Sequence, residues 1–294
     1  MSFRVTNETQ LAQAQQNLAA SKSTLSQLTN EAATGLKITL PSDDPAGTAD
    51  LLQFNQELAQ NTQYQRNATN GTGWLTSVSS TLSSVVTSLT QLSNLAVEAS
   101  NGTNSAQSES AIVDQMQGIK QNLMSLANTQ YLGMNIFAGT SDASTAFNSD
   151  YSYNGTPGAS VQRRVGPDTT IPVSADGSAV FGTGSSSVFA LIDTITSNLS
   201  SGTSISSQLD SINSFLTNVE GVEASVGASQ QQLQQAQTAL QTQATTIQSN
   251  QSSVENADPA QVILEMQTQQ VAYQTALAVT AQSLQSTLMN YLEQ

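Results

Sequence analysis

The chain has 294 residues, with seven Lys and Arg against 21 Asp and Glu and a formal charge of −14; that balance excludes nucleic acid as a partner, because phosphate is held by cations. It has no His and no Cys, which removes imidazole acid–base catalysis, Ser-His-Asp triads, thiolate chemistry and the usual zinc sites together. Every basic residue lies at or before Arg164, so residues 165–294 hold no side chain that would bind an anionic cofactor or an anionic lipid by charge.

The start, MSFRVTNETQ, has no apolar run of the kind that marks a cleaved secretory signal. Leu11, Leu18, Leu25 and Ala32 then fall seven apart, with Ala14, Ser21 and Leu28 between them. That spacing predicts a helix over about residues 6–33 with one narrow apolar stripe, the seam of a coiled coil. Gly35 is placed to stop it. After Pro41, the pair Asp44-Pro45 reads as an N-cap and first helical residue. Asp43 adds a second carboxylate at the positive end of the helix dipole. Two adjacent carboxylates could in principle serve a metal or acid–base chemistry, but beside a proline a cap is the simpler reading.

From Pro45 a helical pattern runs to Ala99, with a stripe of Leu75, Val78, Leu82, Val85, Leu89, Leu92 and Ala96. Asn70-Gly71-Thr72-Gly73 lies inside it and predicts a weak or kinked point, each Gly costing up to ~1 kcal/mol in a helix. Asn101-Gly102 ends the run. A further helix from about Ser108 carries Ile112, Met116, Ile119, Leu123 and Leu126. Between Leu132 and Gly184, Gly, Asp, Asn and Pro cluster and the period changes to two. Tyr151–Tyr153, Ser160–Val165 and Thr169–Val173 read as short strands in a small β-rich insert. An insert of that size must pack on the helices to be stable.

A short helix is expected around Val188, Leu191, Ile192 and Ile195. From Ile205 to Val254 apolar residues, with Glu223, Gln230, Gln237 and Gln251 among them, alternate steps of four and three. This predicts one helix of about 50 residues, roughly 75 Å long. Ala257-Asp258-Pro259 makes a second corner, capped by Asp258. The last helix carries Met266, Tyr273, Leu277, Leu284, Leu288 and Tyr291 at the same spacing as the first. No stretch approaches the roughly 18 apolar residues of a membrane span.

The expected fold is therefore mainly α. It is an elongated antiparallel helical bundle or coiled coil formed from both chain termini, with a small β-rich insert. Residues 1–40 with 259–294 form a terminal assembly domain, 41–131 with 187–258 a helical core, and 132–186 the insert. No catalytic, cofactor or metal residue is expected. The residues expected at an assembly interface are Leu11, Leu18, Leu25 and Leu28 with Tyr273, Leu277, Leu284, Leu288 and Tyr291. Asp43, Asp44, Pro45, Asp258 and Pro259 form the corners. An isolated two-helix seam gains little against the cost of nucleation, so both ends are expected to order as copies join.

Several strings carry a family resemblance. Asn94-Leu95-Ala96-Val97-Glu98-Ala99-Ser100-Asn101-Gly102-Thr103 resembles the end of a core helix in bacterial flagellins, and Arg66-Asn67-Ala68-Thr69-Asn70-Gly71 is similar to another stretch of that superfamily. Pro41-Ser42-Asp43-Asp44-Pro45 and Gly133-Met134-Asn135-Ile136-Phe137-Ala138-Gly139-Thr140, followed by Phe147, resemble its hook-associated protein 3 branch at the hook–filament junction. So do Glu255-Asn256-Ala257-Asp258-Pro259 and Leu288-Met289-Asn290-Tyr291-Leu292. The resemblance implies a structural, non-enzymatic subunit of the bacterial flagellum. It implies an extracellular place, reached through the flagellar type III apparatus without cleavage of a signal. The implied partners are copies of itself in a ring, hook-associated protein 1, flagellin, and an export chaperone on the C-terminal helix, with no nucleic acid and no membrane. Flagellin itself stays open as the alternative. An enzyme carried in the insert is a distant one, since a His-Glu-x-x-His helix cannot exist here.

Overall fold

The computed structural model describes residues 7–101 and 105–292, with the side chains of residues 7, 8, 10, 11 and 283–292 outside that description. The chain divides into two compact units, residues 1–59 with 245–294 and residues 60–244. The division falls inside two long helices, whereas the sequence draws its boundaries at the two prolyl corners.

In the first unit, α1 (Asn7–Thr34) packs along α7 (Pro259–Leu292). Gly35 ends α1 at φ +71°, its N–H donating to the Glu31 carbonyl at 2.8 Å. This is the left-handed stop that only glycine adopts without cost. The chain then turns through a loop tied by one carboxylate. Asp43 Oδ2 accepts from the Leu40 N–H (2.8 Å), the Thr39 N–H (3.1 Å) and the Thr39 hydroxyl (3.0 Å). The Leu40 and Thr39 bonds hold this carboxyl below its ordinary range. Asp44 Oδ1 accepts from Gly47 N–H at 2.9 Å, capping α2 (Pro45–Ala99). At the other corner Asp258 Oδ1 accepts from Ala260 N–H at 2.9 Å and starts α7.

The second unit holds the main core. Along α2, Leu75, Val78, Leu82, Val85, Leu89, Leu92 and Ala96 are all buried. They meet Ile112, Met116 and Leu123 of α3 (Ala106–Ala127), Ile192 and Ile195 of α5 (Val188–Ser200), and the α6 (Ser206–Glu255) stripe of Ile212, Val219, Val226 and Leu233 in one continuous apolar cluster. Each such side chain stabilises by ~1.5–3 kcal/mol when fully buried. Every α6 position named from periodicity, including Glu223, Gln230, Gln237 and Gln251, is buried or half-buried.

The expected kink at Asn70–Gly73 is absent, and α2 is continuous through both glycines. Their role is close approach. A Cβ on Gly71 would lie 3.0 Å from Val173 Cγ1 and 3.1 Å from Leu233 Cδ1, and one on Gly73 would lie 2.3 Å from the Tyr131 hydroxyl oxygen. The insert and α6 press on the helix where it has no side chains.

The insert is less β-rich than its sequence suggests. A hairpin of β1 (Gln130–Tyr131) and β2 (Met134–Asn135) turns at Leu132 and Gly133, both at positive φ. This pairing of signs is that of a type I′ turn. The β3 (Gln162–Arg164) and β4 (Thr170–Pro172) strands pair antiparallel with Arg163 opposite Ile171. The expected Tyr151–Tyr153 strand is reduced to a single bridge, Phe147 to Tyr153, because Tyr151 sits at φ +68° and breaks the extended path. A short helix, α4 (Gly177–Phe181), and a 3-10 turn at Gly184–Ser186 complete it. An aromatic cluster holds it together: Phe147 contacts Tyr153, Phe181 and Phe189, and Phe137 contacts Phe181, all with centroids 5.0 to 5.6 Å apart.

Candidate assembly interface

The two corners meet. Leu36 and Asn256 form an antiparallel bridge, Lys37 N–H donates to the Glu255 carbonyl (2.7 Å), and Ala257 N–H donates to the Gly35 carbonyl (3.0 Å). These bonds satisfy backbone groups that both helix ends would otherwise leave open. They also fix where α1 and α7 begin to run side by side.

On α1 the covered stripe is Ala14, Leu18, Ser21, Leu25 and Leu28, followed by Glu31. The expected Ala32 is exposed instead. A straight helix of 3.6 residues per turn drifts about 20° per heptad, and by the last turn Glu31 has moved onto the covered side. Glu31 takes a bond there from the Gln27 amide at 3.1 Å. On α7 the covered stripe is Val262, Met266, Gln269, Tyr273, Ala276 and Thr280. Leu277, expected on this seam, lies beside it and is 41% exposed. The heptad through Met266 and Tyr273 continues to Thr280, and the intervening position falls on Ala276, so the larger leucine is turned aside. Leu11, Leu284, Leu288 and Tyr291 lie outside the described side chains.

The seam is thin. Leu28 and Val262 are its fully buried members, and its middle is polar: the Gln269 amide donates to the Ser21 hydroxyl (2.9 Å) and carbonyl (3.2 Å). Larger apolar side chains point elsewhere. Leu264 (64% exposed) and Val271 (64%) stand seven residues apart on the side of α7 opposite the seam, with Val279 (61%) a further eight on. The chain thus closes only one side of α7 against α1, with polar and small residues interrupting that seam, and leaves further bulky apolar residues uncovered. Sequence periodicity marked that α1 and α7 carry apolar stripes but not which side of α7 stays open. The α7 pattern supports two stripes, and only the partner's geometry chooses between them.

Other chemistry is sparse. Among the described residues no group of three or more Cys, Asp or Glu side chains is placed to hold a metal, and no helix is long and apolar enough to cross a membrane. The main polar cluster clasps the insert to two helices of the second unit. Lys120 Nζ of α3 lies 2.6 Å from Asp193 Oδ1 of α5, and the Tyr151 hydroxyl donates to Asp193 Oδ2 at 2.5 Å. Burial raises the Asp193 pKa, but the bonds from Lys120 and Tyr151 outweigh it and hold the carboxyl below its ordinary range.

Residues 5–142 match the family model of the bacterial flagellin N-terminal helical region, and residues 209–292 match that of the bacterial flagellin C-terminal helical region. The chain is 30% identical over 182 residues to the flagellar hook-associated protein 3 of Salmonella typhimurium. That match covers 61% of this chain and 57% of the relative, so the chain spans little more than half of that protein's length. To the phase 1 flagellin of Salmonella naestved it is 31% identical over 125 residues, covering 42% of this chain and 25% of the flagellin. Among solved structures, a putative flagellar hook-associated protein from Vibrio parahaemolyticus superimposes with a TM-score of 0.67 at 22% identity, over 73% of this chain and all of that one.

Proposed function

Because this chain belongs to the bacterial flagellin family, matching both its N-terminal and its C-terminal helical regions, we propose that it is a structural subunit of the bacterial flagellum that joins the hook to the filament. The observation that carries the assembly half of this reading is the open side of α7. Leu264, Val271 and Val279 are exposed there while the intrachain seam covers a different side of the helix and leaves most of its own members only half-buried. Burying those side chains against terminal helices of neighbouring copies yields ~1.5–3 kcal/mol for each large one. A helix pair that is weakly held in one chain becomes strongly held in a ring. The junction half is supported by the match to hook-associated protein 3, which is longer than the match to flagellin on both chains.

In this reading the subunit leaves the cell through the flagellar export apparatus with its terminal segments loosely folded, and these segments order as copies join. Its axial neighbours are hook-associated protein 1 and flagellin, and an export chaperone covers the C-terminal helix beforehand. The corner carboxylates Asp43, Asp44 and Asp258 hold the turns through which the chain enters and leaves the paired terminal helices.

A deletion strain tests the role. Cells lacking this chain are expected to carry hooks without filaments and to release flagellin into the medium; filaments of normal length on such cells would refute the junction role. Concentrated purified protein is expected not to grow long filaments when seeded, which separates it from a filament subunit.

A further inference from the structure

Copies that each carry a charge of −14 repel one another wherever their surfaces meet without local complementarity. The second unit brings three arginines onto neighbouring segments. Arg163 and Arg164 lie on β3, and β3 is bonded to α2 just beyond Arg66. Asn67 donates its amide to the Arg164 carbonyl at 2.8 Å, and Arg163 Nε donates to Asn70 Oδ1 at 2.8 Å. Three of the seven basic residues are thereby gathered across two elements. The Arg163 guanidinium is seated over the Trp74 ring at 5.5 Å, and Arg164 is braced by the carbonyls of Gly166 and Pro167. Among the described residues none of the three meets a carboxylate at ion-pair distance, the exposed Asp168 of the adjacent turn included. Each guanidinium has five N–H donors, so most remain available. Arg66 and Arg164 are exposed.

The complementary surface is on α6. Asp210, Ser214, Thr217, Gly221 and Ala224 are exposed at steps of four and three and form one outer stripe, with exposed Glu220 beside it. The Ser214 and Thr217 hydroxyls fold back to their own helix, donating to the Asp210 carbonyl (2.9 Å) and the Asn213 carbonyl (3.0 Å). An added Cβ on Gly221 would meet nothing within 4 Å. The stripe is low in profile and carries carboxylates, and no Lys or Arg follows Arg164 in the chain to neutralise it. Within one copy Arg66 and Glu220 cannot touch. Asn61 bonds to the Leu240 carbonyl and Gln237 to Thr72, so Arg66 lies level with residues 237–240. Glu220 is then at least 17 residues away along α6, about 25 Å at 1.5 Å per residue.

We propose that the Arg66–Arg163–Arg164 patch docks on the Asp210–Glu220 face of α6 in a second copy of this chain, a head-to-tail contact in which each copy gives one surface and receives the other. The proposal rests on the assembly reading and names the contact between neighbours in that assembly. The cation side is pre-oriented by Trp74 and backbone carbonyls, so few rotamers are lost on docking. The small α6 side chains let guanidinium groups reach carboxylates without steric interference.

The absence of cysteine allows a clean test in flagella isolated from cells making only variant full-length chain. The double variant Arg66→Cys with Glu220→Cys, treated with a short bismaleimide, is expected to give a ladder of linked copies, and each single variant is expected to stay monomeric. Independently, Arg66→Glu with Arg164→Glu is expected to lower incorporation at least tenfold, and adding Asp210→Lys with Glu220→Lys in the same chain to restore most of it. Normal flagella without the ladder, or reversal without loss or rescue, overturn this contact and leave the junction role standing. If the wild-type chain does not enter the appendage at all, the assembly reading fails and this contact falls with it.

Discussion

Gly71 and Gly227 are both helical glycines, and they should respond oppositely to alanine. In α6, a Cβ on Gly227 meets nothing within 4 Å, so Gly227→Ala is expected to stabilise by ~0.5–1 kcal/mol through helix propensity. At Gly71 the same gain is outweighed, because the new Cβ presses on Val173 and Leu233 at 3.0 and 3.1 Å. Overpacking of this kind costs about 1–3 kcal/mol, and Gly71→Ala is expected to lower the urea midpoint while Gly227→Ala raises it. Propensity alone treats the two alike, which is why the sequence suggests a kink at Asn70–Gly73. The crowding comes from residues about 100 and 160 positions away, and local pattern carries no trace of that. The capping carboxylates are legible for the opposite reason: Asp44 and Gly47, or Asp258 and Ala260, are near neighbours, and their bonds follow from local backbone geometry alone.

At the scale of elements, long helices are the readable part. A stripe repeated over the whole of α6 averages out individual exceptions, so even its glutamines are placed correctly on the inner side. The insert is not readable in this way, since its strands are two or three residues long and its cohesion comes from Phe137, Phe147, Phe181 and Phe189 meeting across 52 residues of sequence. Beside this aromatic packing, the Lys120–Asp193–Tyr151 clasp ties the insert to α3 and α5, and its contribution depends on pH. Asp193 has a lowered pKa, so its contribution is present above the ordinary carboxylate range and is lost as pH falls through the folded-state value. For Lys120, burial lowers the pKa, but the bonds with Asp193 and Tyr151 prevail and raise it. The Tyr151 pKa is raised by its bond to Asp193 and by burial. Both contributions are therefore complete below about pH 10 and are lost above it. The Asp193 side chain is 40% exposed, so solvent screens the pair, and Asp193→Asn is expected to cost only about 1 kcal/mol at neutral pH. Thermal melts of the two proteins should differ most between roughly pH 5 and 10 and draw together progressively as pH falls below the ordinary carboxylate range or rises beyond the ordinary lysine and tyrosine range.

The whole chain separates a robust core from a conditional edge. Residues 60–244 contain the continuous apolar cluster, while α1 and α7 share a seam with few fully buried side chains. Removing residues 1–34 and 259–294 is expected to leave a helical protein with a cooperative melt by circular dichroism but without entry into the flagellum. Loss of helicity well beyond the deleted segments would contradict that separation. Glu31 rather than Ala32, and Ala276 rather than Leu277, face the partner helix, so bulky apolar residues remain on the outer side of α7. A single chain's sequence specifies both sets without saying which is inside. Trp74, the one tryptophan of the chain, lies 1% exposed with its ring edge against Tyr131 of β1 and its face under Arg163 of β3. Its fluorescence therefore reports on a single joint: separation of the hairpins from α2 would shift the emission to longer wavelength while most of the helical signal persists. Tyrosine-free excitation of one indole gives an intrinsic gauge of that joint during unfolding and refolding, with no label attached.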